Sequence, residues 1–518
     1  MRHLSVVLLS LSALLFQPAL AIQAQEAVPN GFEEWISEGL DQWSIPGLAV
    51  SVVLDDQEIY AEGFGVRKLD TGEPVDAHTQ FGIASVSKHM TASALARLVD
   101  DGLITWDDRI VDLVPWFRLS DPHATAQVTI RDLLTHQVGV GRILGNRIQF
   151  MTNRSSETLL HQMRYHEFER PFRSEYVYSN VMYTLAGHVV TEVTGLDFEA
   201  FLTRELLGPM GMDRSNASIY SLDESNAAWP HQEIEGEVVE IPRRSWDNAA
   251  PAGGVNSTAS DMARWMRMQL GDPGVYDGQR VLSQLSLQQI QTPQVALPIG
   301  SPLAPQSAYG LGFNITDYEG YRLLTHGGST DGMNSIFMLV PERNLGIFVT
   351  VNVHSSFQQA VAYALLDHHL GTGGEADWNV VYWENYQARY QETMERRNQF
   401  EENRQTDTSP SKPLGEYTGA FVDDLYGEAR VLEENGGLVL RLWGDEDLEA
   451  DLVHWHYDTF RVEWRNPAMR EEFLTFRLGI DGGVDSMEVR FTLRPVMLQV
   501  GAYPTDYYRD VRFQRVTP

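Results

Sequence analysis

The 518-residue chain has no cysteine. Without cysteine there can be no disulfide bond, no thiol nucleophile and no cysteine-linked lipid anchor. The stability of the protein must therefore come from a packed core, and apolar residues at 43% are an ordinary supply for a globular protein. The length is sufficient for two or more domains.

Lysine is almost as rare. The chain has 39 lysines and arginines, but only Lys68, Lys88 and Lys412 are lysines, which leaves 36 arginines (39 minus 3). Acidic residues number 71, so the formal net charge is −32. A surface of this sign repels phosphate groups, which argues against nucleic acids and anionic membranes as partners.

A long, mostly apolar run occurs only at the N-terminus. Arg2 and His3 precede the run over 4–16, and Ala19 and Ala21 supply a small-x-small cleavage pattern. These features predict a secretory signal peptide over 1–21, and hence a protein exported to the periplasm or the extracellular medium. The run is short for a transmembrane helix and no later run is apolar enough, so no membrane span is predicted.

The distribution of helix and strand patterns predicts an α+β fold. Strands over about 46–66 and 308–352 enclose a mainly helical region from about 85 to 295, and a helix over about 356–371 follows. Strands at both ends of a helical middle favour one antiparallel sheet flanked by helices, with an inserted helical lobe. We assign residues 27–374 to this domain.

A different pattern begins after residue 374. The connection over 375–413 consists of a charged stretch to 404, which predicts a helix because it lacks glycine and proline, and a polar linker over 405–413. Residues 414–518 alternate in short segments between turn signals, which favours a small all-β domain with a barrel or closed sheet. The turn signals are Asn435-Gly436-Gly437, 444–447 and Asp481-Gly482-Gly483.

Ser85 and Lys88 lie three residues apart in the stretch FGIASVSKHM, residues 81–90. The chain continues from Ser85 without glycine or proline to Gly102, a typical C-terminal cap, and so predicts a helix. Residues i and i+3 share a helix face, which places the Lys88 ammonium beside the Ser85 hydroxyl. Lysine, unlike arginine, can give up its proton inside a protein. The pair is therefore a candidate serine nucleophile with its activating base.

The same spacing recurs at Ser409 and Lys412. This second pair lies in the polar, proline-containing linker, where no helix is expected and the spacing has no geometric meaning. We therefore place the candidate nucleophile at Ser85.

Two further motifs follow along the chain, Tyr178-Ser179-Asn180 and, at the end of a predicted strand, His326-Gly327-Gly328-Ser329. With S-x-x-K, Y-x-N and H-x-G in this order, the chain resembles the serine β-lactamase-like and penicillin-binding-protein-like hydrolases. It is most similar to the class C β-lactamase-related branch, which includes DD-carboxypeptidases, D-aminopeptidases and esterases. Stretches 132–141, 252–265 and 309–313 add to the resemblance, which covers about 30–370. The segment after 410 looks like a small β-domain appended to some members.

The resemblance implies a role for each residue of the first two motifs. Ser85 would attack a carbonyl carbon and form an acyl-enzyme. Either Lys88 or Tyr178 would take the Ser85 proton, and the sequence leaves this choice open. Tyr178 would later protonate the leaving group, and the Asn180 amide would bond both Lys88 and the substrate.

The third motif would form the other side of the site. The backbone N–H groups of Ser85 and Ser329 would form the oxyanion hole, and Gly328 has no side chain, so a substrate would have room along the strand. The best-known lactamases and DD-peptidases have lysine where this chain has His326. Because histidine is mostly neutral at neutral pH, His326 would favour uncharged substrates over carboxylates, or would serve only as a structural partner of Tyr178. The difference argues against efficient β-lactam hydrolysis.

No metal or other cofactor is expected. His454 and His456 would share one face of a strand, but two histidines without a third ligand are typical of a protein surface.

The sequence thus predicts an exported serine hydrolase that cleaves ester or amide bonds of a small-molecule or peptide substrate through an acyl-Ser85 intermediate. A peptidase acting on peptides that contain D-amino acids is the first interpretation. A carboxylesterase and a β-lactamase are the enzymatic alternatives, and a binding or sensor protein that is acylated slowly without turnover is the non-enzymatic one. No oligomeric state is predicted.

Overall fold

The structure, a computed structural model, describes residues 26–141, 154–234, 236–297, 307–374, 376–443, 448–467, 469, 472–490 and 510–516. The predicted signal peptide over 1–21 and the predicted turn at 444–447 lie outside these residues. The described residues form a helix-and-sheet domain and a closed β-barrel, which a long helix connects. The predicted α+β fold class with a C-terminal barrel is thereby confirmed.

An antiparallel sheet forms the centre of the first domain. In chain order its strands and three small two-stranded pairs are β1 (Gly47–Leu54), β2 (Gln57–Gly65), β3 (Phe81–Gly82), β4 (His231–Ile234), β5 (Glu237–Glu240), β6 (Asn256–Ser257), β7 (Val275–Tyr276), β8 (Gln279–Arg280), β9 (Val295–Ala296), β10 (Ser307–Tyr309), β11 (Asn314–Tyr318), β12 (Tyr321–Thr330), β13 (Met333–Val340) and β14 (Leu345–Val351). The large sheet has eight strands in the order β2-β1-β14-β13-β12-β11-β10-β9. The pairs are β3-β6, β4-β5 and β7-β8.

Helices cover both faces of this sheet. They are α1 (Phe32–Trp43), α2 (Ser87–Asp100), α3 (Ile110–Leu113), α4 (Pro122–Gln127), α5 (Ile130–Leu134), α6 (Ser156–Gln162), α7 (Asn180–Thr194), α8 (Phe198–Leu202), α9 (Ala250–Gly253), α10 (Ala259–Gln269), α11 (Gln284–Ile290) and α12 (Phe357–Leu370). Helices α1 and α12 pack on one face, and α2, α10 and the rest of the helical lobe pack on the other. Strands β1, β13 and β14 are therefore buried almost throughout, which explains their mostly apolar sequences.

The turns between strands follow the sequence signals closely. Asp55 and Asp56 connect β1 to β2 with φ values of 49° and 62°. Two positive φ values match the right-handed twist of a hairpin, and aspartate tolerates that backbone better than most residues. The predicted turn is therefore present at the expected residues.

Strand β12 differs from the prediction. It continues through His326 to Thr330 because its pairing with β13 extends from Leu324 opposite Leu339 to Thr330 opposite Met333. The third motif therefore lies within a strand and not at its end.

A helix, α13 (Trp378–Glu402), connects the two domains. Near its start, Trp383 and Tyr386 contact Trp43 of α1, with ring centroids 4.8 and 5.2 Å apart. Near its end, Phe400 stacks on Trp455 of the C-terminal domain at 5.5 Å. The helix is thus packed against both domains and holds them together.

The C-terminal domain is a closed barrel. Its strands are β15 (Gly419–Asp423), β16 (Gly427–Glu434), β17 (Gly437–Leu442), β18 (Glu449–His456), β19 (Thr459–Trp464), β20 (Glu472–Leu478), β21 (Val484–Arg490) and β22 (Asp510–Arg515). Strand β15 pairs with β22, so no strand edge stays exposed. The predicted turns at 435–437 and 481–483 lie between β16 and β17 and between β20 and β21.

The predicted linker is attached to the barrel. The Ser411 N–H and hydroxyl both donate to Asp458, at 3.0 and 2.7 Å, so this part of the linker is held in place. Residues 409–412 form no helix, and the second serine–lysine pair therefore lacks the geometry of the first. No helix in the described part of the chain has both the length and the apolar character that a membrane span requires.

Candidate active site

Ser85 lies in a single 3₁₀ turn, Ala84–Val86, directly before α2. The residue before it, Ala84, has φ +50°, a left-handed backbone that costs a residue with a Cβ about 1–2 kcal/mol. The hydroxyl of Ser87 stabilises the turn, because it donates to the Ala84 carbonyl at 2.6 Å and accepts from the Val255 N–H at 3.1 Å. The turn leaves Ser85 partly exposed while its neighbours are buried.

Lys88 is fully buried one turn further along. Its Nζ donates to the Ser85 hydroxyl at 3.0 Å and to the Ala252 carbonyl at 2.6 Å. Because a carbonyl oxygen can only accept, it keeps one Lys88 N–H directed at itself and thereby orients the nitrogen. The proximity that the i, i+3 spacing predicts is present.

Tyr178 reaches the same serine from the helical lobe. Its hydroxyl donates to Ser85 Oγ at 2.9 Å, and its ring lies 4.8 Å from Lys88 Nζ. Ser85 Oγ therefore has two proton-carrying groups within hydrogen-bond distance. Either group becomes a base for the serine proton once it has lost its own.

Asn180 begins helix α7 and is 5% exposed. Its side-chain oxygen has no hydrogen-bond partner among the described residues, so the expected bond from the Lys88 ammonium to this oxygen is not formed. An unpaired buried amide oxygen costs about 1–3 kcal/mol, and a substrate N–H would supply its partner. The placement is consistent with substrate binding and not with a contact to Lys88.

Gly328 allows strand β12 to approach the serine turn. A Cβ there would lie 2.2 Å from the Ile83 carbonyl oxygen and 2.4 Å from Ser335 Oγ. The hydroxyl of Ser335 donates to that same carbonyl at 2.7 Å and ties β13 to the turn. Gly328 is thus required for packing, whereas the open side of the strand is at Gly327. Ser329 is the next residue of the same strand.

His326 is only 4% exposed, and both of its ring nitrogens face protein groups. Nδ1 lies 2.7 Å from the Gly327 carbonyl oxygen and must donate to it, because a carbonyl only accepts. Nε2 lies 3.1 Å from the Tyr309 hydroxyl. The ring centroid of His326 is 6.5 Å from the ring centroid of Tyr178. This geometry favours the structural alternative for His326, with Tyr309 as its partner, over contact with a substrate.

Burial fixes the protonation of the neighbouring tyrosines. It raises the pKa of Tyr183 and of Tyr309 well above the ordinary value, so both hydroxyls keep their protons at neutral pH. Tyr183 donates to the Leu134 carbonyl at 2.7 Å. The Tyr309 hydroxyl thus stays an uncharged hydrogen-bond partner of His326.

The other candidate positions lie away from this site. His454 is on β18 and bonds the Tyr457 carbonyl at 2.9 Å, and His456 ends the same strand. No group of three or more potential metal ligands occurs within the described ranges. Lys412 pairs with Glu416 at 3.6 Å on the barrel.

The family model described as Beta-lactamase matches residues 32–370, which is more than half of the chain. The chain belongs to the Beta-lactamase family. A second model, described as a domain of unknown function (DUF3471), matches residues 403–514, the barrel and the end of its linker.

Named relatives of this Beta-lactamase-family chain include hydrolases. It is 26% identical over 500 residues to Unguisins hydrolase ungD' from Aspergillus campestris, with 91% of this chain and 88% of that protein covered. It is also 26% identical over 331 residues to Protein flp from Staphylococcus aureus, with 62% of each chain covered.

Solved structures show the same fold over almost the whole chain. The octameric penicillin-binding protein homologue from Pyrococcus abyssi covers 94% of this chain and 99% of its own, with a TM-score of 0.60 and 19% identity. The structure of SurE with D-Leu covers 94% of this chain and 99% of its own, with a TM-score of 0.53 and 20% identity.

His136 belongs to the site although its role was not predicted from the sequence. Its Nδ1 accepts from the Ser179 N–H at 3.0 Å, and its carbonyl accepts from the Val177 N–H at 2.8 Å. Its ring lies against the Tyr178 ring at 4.3 Å. His136 therefore fixes the backbone on both sides of Tyr178. The only sequence signal is its place in the family-like stretch 132–141.

His354 is a second residue that sequence reasoning missed. Its Nε2 faces the Gly332 N–H at 3.4 Å and must accept, so its Nδ1 carries the proton and donates to Asn334 at 2.8 Å. Ser329 Oγ lies 3.5 Å from the same Nδ1. His354 thus stabilises the turn that follows Ser329, and no pattern around it in the sequence indicates this.

We expect the hydrogen bond that His136 accepts to matter for acylation. The backbone of His136 has φ +59°, which asparagine and glycine both tolerate, but only asparagine keeps an acceptor near the position of Nδ1. His136→Gly should lower the acylation rate by a factor of about 10 to 10², since small misplacement of a reacting group has effects of this size. His136→Asn should recover most of the rate. The measurement is the burst rate with p-nitrophenyl acetate, and the unfolding temperature of each variant is the control. Equal rates in the two variants would show that the hydrogen bond is unimportant.

Proposed function

We propose that the protein is a serine hydrolase that forms an acyl-enzyme at Ser85. One observation carries the proposal: Ser85 Oγ lies 3.0 Å from Lys88 Nζ and 2.9 Å from the Tyr178 hydroxyl, on a turn that presents it to the surface. A serine hydroxyl is a weak nucleophile on its own, and two groups that can remove its proton make it a strong one.

The reaction would proceed in two halves. Ser85 Oγ bonds to the substrate carbonyl carbon while its proton passes to Lys88 or Tyr178, and the negative oxygen is held by the N–H groups of Ser85 and Ser329. Each such donor is typically worth about 2.7–4 kcal/mol. Tyr178 then protonates the leaving amine or alcohol. A water molecule attacks the acyl-Ser85 bond in the second half and regenerates the serine.

The proposed substrates are peptides that contain D-amino acids. One similar protein supports this class, because SurE has been solved with D-Leu. The third motif has the buried His326 where relatives have lysine, and histidine, unlike lysine, carries no permanent positive charge, so a free terminal carboxylate would lack the Coulomb attraction that a lysine provides. The proposal is therefore an amide or ester hydrolase for substrates without a terminal carboxylate at that position.

The absence of a lysine at position 326 also suits a second candidate function, a carboxylesterase for uncharged esters. The same feature disfavours a β-lactamase, because β-lactams carry a carboxylate. We further propose that the protein is exported, on the basis of the signal-peptide pattern over 1–21.

Four chromogenic substrates would test the proposal. N-acetyl-D-Ala-p-nitroanilide, whose acyl part is uncharged, should be hydrolysed at least about tenfold faster than N-acetyl-L-Ala-p-nitroanilide, the discrimination that one well-shaped pocket usually gives. Uncharged p-nitrophenyl butyrate should be cleaved, and nitrocefin should be a poor substrate. Turnover of the ester without turnover of either anilide would instead support the carboxylesterase. Acylation without turnover of any substrate would support the slowly acylated sensor.

A further inference from the structure

A cleft opens near the turn that carries Ser85. Gly253 lines it, and a Cβ on this glycine would lie 3.7 Å from the Ser85 backbone nitrogen. Thr330, one residue after Ser329 on β12, also lines it. The cleft therefore has neighbours of both expected oxyanion-hole residues in its wall.

The position of the cleft identifies the part of the substrate that enters it. Neither Tyr178 nor Asn180 is among the described residues that line the cleft. Tyr178 donates to Ser85 Oγ and is the group that would protonate the leaving group. A cleft on the opposite side of the serine would receive the group attached to the carbonyl, which stays on the enzyme as the acyl part.

The surface of the cleft is largely apolar. Ile219, Leu222, Pro230, Trp246 and Met333 line it together with small residues. An uncharged aliphatic or aromatic side chain would bury apolar area here, at about 25 cal/mol per Å².

The charged residues that line the cleft all have partners in the protein, and Arg243 pairs with Glu224. Arg244 donates to Asp331 through Nε at 2.5 Å and through Nη2 at 2.8 Å, a two-bond pair whose side chains are 15% and 18% exposed. Asp247 accepts from the Ser218 hydroxyl at 2.6 Å and from the Ile219 N–H at 3.0 Å. The two-bond pair presents almost no net charge to a substrate.

The barrel holds this ion pair from the outside. Met469 is 5% exposed, and its sulfur lies 3.1 Å from Arg244 Nη1. The C-terminal domain thereby restricts Arg244 to the position in which it pairs with Asp331, although the barrel contributes no catalytic motif.

We propose that this cleft binds an uncharged, apolar acyl group of the substrate. The Arg244–Asp331 pair excludes charged acyl groups because its two charges neutralise each other and leave none to attract a charged group. The inference rests on the proposed acylation of Ser85. Removing one charge of the pair leaves the other without its partner, so the selectivity should change in a direction that depends on which charge is removed.

Three p-nitrophenyl esters with six-carbon acyl chains provide the test: the neutral hexanoate, the anionic adipate monoester and the cationic 6-aminohexanoate. Wild-type kcat/KM should be about tenfold higher for the hexanoate than for either charged ester. Asp331→Asn should improve the adipate ester relative to the hexanoate by about tenfold, and Arg244→Gln should do the same for the aminohexanoate. The double variant should return to the wild-type order, because the site is neutral again. Asp272→Asn, which breaks the exposed Arg280–Asp272 pair, is the matched control and should change nothing.

The outcomes separate this inference from the proposed function. Equal wild-type rates for the three esters, or unchanged ratios in both folded single variants, would overturn the role of the cleft while leaving Ser85 acylation intact. Failure of every ester to acylate Ser85 in the wild-type protein would overturn the proposed function, and this inference with it. Adduct mass and unfolding temperature distinguish these cases.

Discussion

Ser85→Ala should lower kcat/KM for every substrate that the protein hydrolyses by a factor of about 10⁴ to 10⁶, the usual effect of removing a catalytic serine. The reason is geometric: both Lys88 Nζ and the Tyr178 hydroxyl donate to Ser85 Oγ, so the two proton-carrying groups lose their common target in the variant. The rate with p-nitrophenyl butyrate and with N-acetyl-D-Ala-p-nitroanilide measures the loss.

Ser409→Ala is the matched control, because Ser409 has the same spacing to a lysine but lies outside any helix. Its kinetics should equal those of the wild-type protein. Retention of more than about a tenth of the activity in Ser85→Ala would place the nucleophile elsewhere, since such a small loss is typical of a residue outside the reaction.

Lys88→Arg should lower the acylation rate by a factor of about 10² or more, the usual scale for losing acid–base assistance. Arginine keeps the positive charge but cannot give up its proton, and its planar group is larger than the ammonium. The fully buried site also requires one N–H to reach the Ala252 carbonyl and another to reach Ser85. The burst phase with p-nitrophenyl acetate measures acylation directly.

Lys68→Arg is the control for this substitution. Lys68 is 30% exposed and pairs with Glu240 at 3.5 Å, a surface contact in which arginine serves equally well. The Lys68→Arg substitution should leave the acylation rate unchanged. If Lys88→Arg acylates at the wild-type rate, charge alone is sufficient at this position, and Tyr178 is the group that takes the serine proton.

Local patterns predicted the parts of the fold that local physics determines. The β1–β2 hairpin follows from its two aspartates, and the helix that positions Lys88 follows from a stretch without glycine or proline. The i, i+3 spacing then fixes the Ser85–Lys88 distance, because residues on one helix face are neighbours whatever surrounds them. The family resemblance supplied Tyr178, and the structure places its hydroxyl beside Ser85.

The features that were missed depend on contacts between distant parts of the chain. His136 acts on the backbone at Ser179, and Arg244 pairs with Asp331, and both of these partners are distant in sequence. The expected contact of His326 with a substrate requires an exposed ring. The pairing of β12 with β13 and the contact with Tyr309 bury the ring instead. Only tertiary packing determines these three positions.

The most direct test of the central claim is to locate the covalent adduct on the wild-type protein. The protein would be labelled with a fluorophosphonate, digested and sequenced by tandem mass spectrometry, with Ser85→Ala labelled in parallel. The account predicts one phosphonyl group on Ser85 and no adduct in the variant. An adduct on Ser409 or on any other residue of the wild-type protein, or undiminished labelling of Ser85→Ala, would contradict it.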